Sequence, residues 1–249
     1  MSKISKLYAS LFPTTIRKLI DPGAFKLRHF VSSEIQNVKA RELILDAGAG
    51  ECGNKDFITN QSYIALDAAC GDQSWNYSGL DVIADLENTP FIPNCFHLVI
   101  CTQVMEHVKE PQAVLLELFR VMKEEGVLCL SAPQGWGVHQ APYDFFRFTH
   151  FGLNYLLKKA GFNHISIIPS CGYFGYLANR LTVLPKTLFW PIKTHWLRVL
   201  LFPFEVLFYA IFVFLLPILL NSIDFLDKDR NYTLNYLVRA KKPSSKNIA

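Results

Sequence analysis

Residues 43–53 read LILDAGAGECG, and this stretch decides the fold that we predict for the chain. Its first three residues form a short apolar run, which is typical of a strand buried on both faces of a sheet. Gly48, Gly50 and Gly53 follow at once, and glycine permits a tight turn in which the backbone approaches a ligand closely. The pattern therefore predicts a strand, a ligand-binding loop and a helix, as at the start of an α/β domain.

The acid in this stretch indicates which kind of ligand the loop binds. The letters GAGECG fit the G-x-G-x-x-G pattern of dinucleotide-binding loops, which is a weak signal on its own. Asp46 stands at the end of the predicted strand, where a carboxylate attracts an ammonium group and repels a pyrophosphate. The sequence therefore favours S-adenosylmethionine, which carries an ammonium group on its amino-acid part, over NAD.

Strands and helices alternate along the first two thirds of the chain, and one more strand is predicted near the C-terminus. The apolar periodicity predicts strands over 42–47, 62–67, 80–84, 96–101, 126–131, 163–169 and 232–240, with helices over 24–38, 54–60, 111–122 and 151–160. This alternation predicts a doubly wound, mostly parallel sheet, in which ligands bind at the carboxyl ends of the strands.

Acidic residues follow three of these predicted strands. Asp67 ends the second strand about 20 residues after Asp46, which is the spacing of an acid that binds a ribose. Asp85 lies just beyond the short third strand. Each acid taken alone could be a helix cap or a turn carboxylate instead. Because all three stand at strand ends, we expect them to share one site.

Three motifs in order resemble the class I S-adenosylmethionine-dependent methyltransferases, in particular their small-molecule branch. The D-x-G-x-G loop is at 46–50, the E-H-V element at 106–108 and the F-R-x-T element at 146–149. The resemblance covers roughly 34–169 and resumes near the C-terminus. It departs from the family at Cys52, where a third glycine is often found.

The resemblance implies a Rossmann-like, seven-stranded sheet whose last strand is antiparallel and lies beside the sixth strand. It also implies that Asp46 lies near the methionine moiety of the cofactor and that Asp67 binds the ribose hydroxyls. The cofactor-binding residues predicted in this way are Asp46, Gly48, Gly50, Asp67, Asp85, Leu86 and Glu106. For Glu106 and His107 two interpretations stay open, since they either line the cofactor or acceptor pocket or serve as core or capping residues.

A long loop between the fifth strand and the next helix is the predicted acceptor lid. Residues 133–149 read PQGWGVHQAPYDFFRFT, and a loop of this length in a compact domain is usually functional. The predicted catalytic residues are His139 as a base, with Asp144 and Arg147 holding a polar or anionic acceptor beside Tyr143. In the alternative interpretation, Asp144 and Arg147 pair to fix the loop and His139 is solvated.

A hydrophobic insertion separates the sixth strand from the last one. Residues 199–220 read VLLFPFEVLFYAIFVFLLPILL, and Glu205 is their single charge. About 20 apolar residues suffice to span a bilayer once. Both flanking strands join one sheet, however, so that the chain must cross an even number of times or not at all. We therefore predict a monotopic, membrane-dipping element, kinked or divided at Pro203 and Pro217, with a homodimer contact as the alternative.

These observations predict a membrane-associated enzyme of the cytoplasm that methylates a small-molecule, glycan or lipid-linked acceptor. The alternatives are an NAD-dependent oxidoreductase and a non-catalytic, membrane-associated binding protein. A nucleic-acid acceptor is disfavoured because basic and aromatic residues do not interleave on one element. Six cysteines without a C-x-x-C pair suggest reduced thiols and no metal site. The predicted regions are N-terminal helices over 1–40, a methyltransferase domain over 41–175 and 228–242, and the insertion over 176–227.

Overall fold

The computed structural model describes residues 13–72, 74–189, 191 and 194–247, which form two compact units. The first unit comprises Leu27–Ile168 and the strand that begins at Asn235. The second comprises Pro169–Leu234 and the described residues up to Lys26. Residues 1–12 of the predicted N-terminal helices lie outside the described residues, and the predicted domain limits stay a prediction.

A seven-stranded sheet forms the centre of the first unit. Its strands are β1 (Leu43–Ala47), β2 (Ser62–Asp67), β3 (Val82–Ile83), β4 (Phe96–Thr102), β5 (Met122–Pro133), β6 (Asn163–Pro169) and β7 (Asn235–Lys241). Their order is β3-β2-β1-β4-β5-β7-β6. The strands from β3 to β5 pair in parallel, and β7 pairs antiparallel with β5. This confirms the predicted doubly wound, Rossmann-like sheet with its antiparallel last strand.

Eight α-helices lie within the described residues. They are α1 (Thr14–Ile20), α2 (Pro22–Gln36), α3 (Pro111–Val121), α4 (His150–Lys159), α5 (Tyr173–Leu181), α6 (Leu184–Phe189), α7 (His195–Tyr209) and α8 (Leu216–Ser222). A π-helical segment, Ala210–Leu215, joins α7 to α8 without a break. Short 3₁₀ helices occupy Gly53–Phe57, Asp224–Leu226 and Ser245–Asn247.

The alternation of side chains along the central strands produces two apolar layers, because successive residues of a strand point to opposite faces. On one face, Ile44 and Leu98 pack with Val31 and Ile35 of α2. On the other face, the neighbouring strand residues pack against α3 and α4, and this larger layer includes Leu45, Val99, Cys101, Leu128, Leu130, Leu115, Leu118, Leu153 and Leu157. The core thus holds the carboxyl ends of β1, β2 and β4 in one place.

The structure differs from the prediction at three elements. The expected helix over 54–60 is a single 3₁₀ turn, Gly53–Phe57, because the chain has too few residues there to offset the cost of nucleating an α-helix. The third strand contains only Val82–Ile83, at the edge of the sheet. In contrast, β5 is longer than predicted because β4 and β7 supply hydrogen-bond partners on both of its sides.

The C-terminal end of the long apolar helix is anchored within the second unit. Helix α8 packs against α1 and α5. Asn221 Nδ2 donates to the carbonyl oxygens of Leu19 and Ile20, at 2.9 Å each, and so satisfies two free carbonyls at the end of α1. The buried Asp224 accepts backbone N–H groups of Gly172 and Gly175 at the start of α5. These polar contacts fix one end of the helix.

The predicted division of the apolar segment at its prolines is not observed. The structure has one continuous helix from His195 to Ser222, formed by α7, the π-helical segment and α8, and Pro203 lies inside α7. The π-helical segment immediately precedes Pro217. Proline lacks an N–H and its ring crowds the carbonyl four residues earlier, and a wider turn relieves that crowding.

Gly161 provides a test of the packing between α3 and α4. Its φ is +97°, and a Cβ added there would lie 3.1 Å from the Phe119 ring. We expect Gly161→Ala to lower the free energy of unfolding by about 1–2 kcal/mol, because alanine is strained at positive φ. Thermal unfolding of the full chain in mild detergent measures this as a drop in Tm.

Gly152→Ala in the first turn of α4 is the matched control. Its φ is negative, and its added Cβ would lie 3.5 Å from Thr149 Oγ1, an ordinary contact. Alanine is the better helix former, so this variant keeps or slightly raises the Tm. Equal Tm values for the two variants would contradict the proposed role of Gly161.

Candidate functional site

The glycine loop makes a turn that a side chain would obstruct. Gly48 has φ +82°, and a Cβ there would lie 2.3 Å from Val104 Cγ2. Gly50 has φ +52°, and a Cβ there would lie 3.3 Å from the ring of Trp75. The N–H of Gly48 donates to the carbonyl of Leu66 at 2.8 Å, which ties the loop to the end of β2. The two predicted glycines are therefore required by the local geometry.

Cys52 takes the backbone conformation that a third glycine would adopt easily. Its φ is +58°, and its side chain is buried. A Cβ added to Gly79 would lie 3.2 Å from the Cys52 Sγ, so Gly79 leaves room for the thiol. The departure from the family pattern thus leaves the turn intact.

Asp46 is a buried carboxylate at the tip of β1. It is only 1% exposed, and its Oδ2 accepts hydrogen bonds from Tyr63 Oη at 2.5 Å and from Asn54 Nδ2 at 3.1 Å. Burial raises the pKa of Asp46 to about 6, although both hydrogen bonds oppose this shift. Among the described residues, no hydrogen bond engages the other oxygen, Oδ1. A cation bound there would stabilise the ionised form.

The structure places Asp67 against the same loop. Its two oxygens accept the N–H groups of Gly50 at 2.9 Å and of Ala69 at 2.8 Å. Each carboxylate oxygen has two lone pairs, so that Asp67 retains acceptors for hydroxyl groups. Asp85 is exposed and accepts the N–H of Glu87 at 2.9 Å. This contact is that of a turn carboxylate, the alternative interpretation given for each acid. Leu86 beside Asp85 is buried. The cofactor roles of these residues stay predictions.

Two aromatic residues beside the glycine loop were not predicted from the sequence. A Cβ on Gly71 would lie 2.8 Å from Tyr77 Oη and 3.2 Å from the ring of Trp75. Both aromatic residues lie in the segment 70–79, to which the sequence assigned no role. Two aromatic residues in an otherwise polar stretch were the available signal. The contact between Trp75 and Gly50 now adds this segment to the candidate site.

Glu106 is buried at the carboxyl end of β4 and lacks polar partners. It is 0% exposed, and neither carboxylate oxygen has a hydrogen-bond partner on another described residue. Burial raises its pKa to about 7. Its own backbone N–H contacts the carboxylate, and His107 Nε2 lies 3.8 Å from Oε1. A buried carboxyl without partners is costly, which indicates that a ligand completes this site.

The predicted lid loop is held together by Arg147. Its guanidinium binds Asp144 in a bidentate pair, with N–O distances of 2.6 and 2.7 Å. Its remaining donors reach the carbonyl oxygens of Trp136, Gly137 and Phe146. All five N–H groups are thus used inside the loop, and the pairing holds the pKa of Asp144 well below its usual range.

These contacts correspond to the alternative in which Asp144 and Arg147 fix the loop. They make both residues positioning residues. The same carboxylate accepts the backbone N–H of His139 at 2.8 Å, while His139 Nδ1 lies 3.1 Å from the carbonyl oxygen of Gly137. A direct contact of Asp144 or Arg147 with an acceptor, and a base role for His139, stay predictions.

The lid loop meets the end of β4. The backbone N–H groups of Phe145 and Phe146 donate to the carbonyl of Glu106, and the rings of His107 and His139 lie 4.8 Å apart in an edge-to-face arrangement. We call the residues gathered here the strand-end site: they come from the glycine loop, from 70–72 and 74–79, from 103–108 and from the lid loop. The strand-end site can bind a cofactor against the loop and hold an acceptor beneath the lid.

Comparison with known proteins identifies the type of domain. Residues 45–130 match the family model of the methyltransferase domain. No curated protein matches the sequence at a significant level.

Several solved structures share the fold at low sequence identity. Phosphoethanolamine N-methyltransferase 2 of Haemonchus contortus, in complex with phosphomonomethylethanolamine and S-adenosylhomocysteine, superposes with a TM-score of 0.53 at 15% identity over 88% of this chain and 53% of that chain. This chain therefore spans about half the length of that relative. An S-adenosylmethionine-dependent methyltransferase from Archaeoglobus fulgidus superposes with a TM-score of 0.52 at 16% identity, over 86% of this chain and 94% of that chain.

The cyclase SpnF is a third similar structure, with a TM-score of 0.55 at 17% identity over 88% of this chain and 82% of that chain. Similarity at this level establishes the fold, and the fold supports more than one reaction. The reaction must therefore be argued from the strand-end site.

We predict that Asp46 makes the affinity for S-adenosylmethionine depend on pH. The cofactor's ammonium group stays protonated up to about pH 7, whereas the carboxylate with a pKa of about 6 is protonated below that pH. We expect the dissociation constant to fall about tenfold from pH 5 to pH 7, since only the ionised form attracts the ammonium. Isothermal titration calorimetry of the full chain at each pH measures this dissociation constant.

The isosteric Asp46→Asn variant is the control. It keeps an acceptor for Tyr63 and Asn54 but does not ionise, so its weaker binding should not change over this pH range. An equal pH dependence in both proteins would show that another group is responsible.

Proposed function

Residues 45–130 form a class I, S-adenosylmethionine-dependent methyltransferase domain, as the sequence resemblance indicated, and we propose that the chain methylates a small-molecule, glycan or lipid-linked acceptor at a membrane surface. S-adenosylmethionine is the cofactor of this family. The observation that carries the proposal is the buried Asp46 carboxylate with one unused oxygen beside a glycine turn. Such a site suits a cofactor with an ammonium group and disfavours the pyrophosphate of NAD.

The residues of the strand-end site would act by orienting the reactants. When bound, the cofactor supplies an electrophilic methyl group on a sulfonium, which an acceptor lone pair attacks in line. Asp46 and Asp67 would hold the two ends of the cofactor that carry the ammonium and the ribose. The lid loop, ordered by Arg147, would exclude water and position the acceptor, and positioning of this kind supplies much of the rate.

The second unit supports an acceptor at a membrane surface. The most apolar 18-residue stretch within Val199–Leu226 has a mean hydropathy of 2.5, and it is unburied. Large apolar side chains of Val199–Leu226 are more than half exposed: Val199, Leu200, Phe202, Phe204, Val206, Leu207, Leu215, Leu219, Phe225 and Leu226. In water this exposure is unfavourable by about 25 cal/mol per Å², so that a lipid or protein partner is expected.

Helix packing in this unit favours insertion into one leaflet. The end of the helix at α8 is packed against α1 and α5, whereas the short helix α6 packs against the preceding part, 199–215. That portion is about 25 Å long at a rise of 1.5 Å per residue, less than the hydrocarbon core of a bilayer. Helix α6 folds back on α7, where the rings of Phe189 and Phe208 lie 5.6 Å apart. A helical hairpin of this size dips into a membrane and returns.

The corresponding location is the cytoplasmic face of the cytoplasmic membrane. A second copy of the chain is the competing occupant of the apolar surface. An open groove of about 890 Å³, lined by residues such as Phe202, Val206 and Phe214, would suit acyl chains or a partner helix.

Transfer of a labelled methyl group tests the reaction. The full chain, S-adenosylmethionine labelled in its methyl group and a cell extract divided into lipid and aqueous fractions should yield S-adenosylhomocysteine and a labelled lipid-soluble product. Asp67→Asn should weaken cofactor binding about ten- to a hundredfold, since it removes a charged hydrogen-bond acceptor. Asp56→Asn, an exposed acid of the 3₁₀ turn, is the matched control and should change nothing.

The outcomes separate the candidate functions. Binding of NAD without binding of S-adenosylmethionine would identify an oxidoreductase, and binding without turnover would identify a non-catalytic protein. Label in the aqueous fraction alone would retain the methyltransferase and reject the lipid-linked acceptor.

Flotation with liposomes tests the membrane surface. The full chain should float with vesicles of phosphatidylethanolamine and phosphatidylglycerol. Replacing Leu200, Phe204 and Leu207 together by lysine should lower the bound fraction at least about tenfold, since each large apolar side chain contributes about 1.5–3 kcal/mol when buried.

The control replaces three equally exposed apolar residues of the first unit, Ile83, Ile92 and Phe151, by lysine. It should float like the unaltered chain. A full chain that stays with the aqueous phase as a dimer, and becomes monomeric in the first variant, would reject the membrane surface in favour of self-association.

A further inference from the structure

We propose that Glu106, His107 and His139 bind one divalent transition-metal ion. One ligand atom from each of the three side chains lies within 4.8 Å of the other two. Two imidazoles and one carboxylate form a recurring ligand set for such ions. The first two residues follow β4 and the third lies in the lid loop, so that the fold joins positions about 30 residues apart.

The state of Glu106 indicates that something binds there. Its side chain is fully buried, yet neither oxygen has a hydrogen-bond partner on another described residue. Buried carboxylates are normally paired with a cation or satisfied by several donors. Arg147, the cation of the lid loop, is saturated by Asp144 and backbone carbonyls. A metal ion would supply the missing positive charge.

The hydrogen bonds of both histidines are those of metal ligands. His107 Nδ1 lies 2.5 Å from the carbonyl oxygen of Tyr143, and His139 Nδ1 lies 3.1 Å from that of Gly137. A carbonyl accepts but cannot donate, so each Nδ1 carries the proton and each Nε2 keeps its lone pair. Ligating histidines typically donate their other nitrogen to a carbonyl or carboxylate in this way. His107 Nε2 is, moreover, buried and has no hydrogen-bond partner in the part of the chain that the structure describes.

The spacing needs only a small adjustment. His107 Nε2 and Glu106 Oε1 are 3.8 Å apart, whereas two ligands at about 2.1 Å from one metal ion lie about 3.0–3.5 Å apart. The widest separation among the three ligand atoms, up to 4.8 Å, must fall by about 1.3–1.8 Å, which movements of less than about 1 Å in each of two side chains provide. With three protein ligands, an ion such as Zn²⁺, Mn²⁺ or Fe²⁺ retains open coordination positions for an oxygen atom of another molecule.

The metal site goes beyond the proposed methyl transfer and is measured without it. It also gives His139 a different role from the predicted base, since an Nε2 bound to a metal cannot accept a proton. Removing His139 therefore distinguishes the two roles: metal affinity falls if it is a ligand and stays unchanged if it is only a base.

Titration of the full chain with metal ions provides the test. The protein is treated with a chelator, dialysed and titrated with Zn²⁺, Mn²⁺ and Co²⁺ by calorimetry, without cofactor or acceptor. The visible absorption of Co²⁺ reports on its coordination. We expect one ion per chain, and a loss of affinity of at least about tenfold in Glu106→Gln and in His139→Ala.

Two controls keep the result interpretable. His164→Ala and Glu110→Gln replace exposed residues of the same types and should bind the ion like the unaltered chain. His139 is partly exposed, with 30% of its side chain accessible, so its replacement by alanine should leave the fold intact, as circular dichroism can verify. Failure of the unaltered chain to bind any of the three ions, or equal affinity in the unaltered chain and in His139→Ala, would overturn the proposal.

Discussion

The close approach of Gly48 to Val104 is the contact on which the rest of the strand-end site depends. It brings the turn after β1 against the turn after β4, at a separation that excludes even a methyl group. Glu106 follows Val104 by two residues, and its carbonyl holds the backbone of the lid loop. The glycine turn, the buried acid and the lid are thus connected through the contact of the Gly48 backbone with the Val104 side chain. A parallel sheet makes this possible, because it places the ends of β1 and β4 side by side.

Much of this arrangement could be predicted from the sequence. Apolar runs that end in acids or glycines predicted the parallel strands, and the motif order led to the antiparallel last strand, which the sheet confirms. Periodicity does not report hydrogen-bond partners across the sheet. For this reason the predicted lengths of β3 and β5 were wrong. The carboxylates could be placed at strand ends by pattern alone. Their hydrogen-bond partners, such as Tyr63 for Asp46, depend on the register between strands and could not be predicted from the pattern.

The parts that sequence reasoning missed are those in which distant residues act together. Cysteine spacing was the signal used for metal binding, and it passes over a cluster formed from neighbours in sequence and a loop histidine. Likewise, nothing in the pattern predicted that Asn221 would cap the helix that ends at Ile20, since about 200 residues separate them. The long apolar helix was recognised from its composition. That it continues past Pro203 could not be predicted, because this depends on the packing of the helix against neighbouring elements.

The saturated guanidinium of Arg147 also determines how the lid responds to ligands. A loop whose only guanidinium binds five oxygen atoms of the loop itself is already ordered before a ligand arrives. Fixing its backbone during folding has already cost about 1–2 kcal/mol of conformational entropy per residue. Ligand binding therefore does not lose this entropy a second time. As the acceptor lid that we propose, such a loop would select by preformed shape. An acceptor that fits it encounters a rigid surface, and one that does not fit finds no alternative arrangement of the loop to accommodate it.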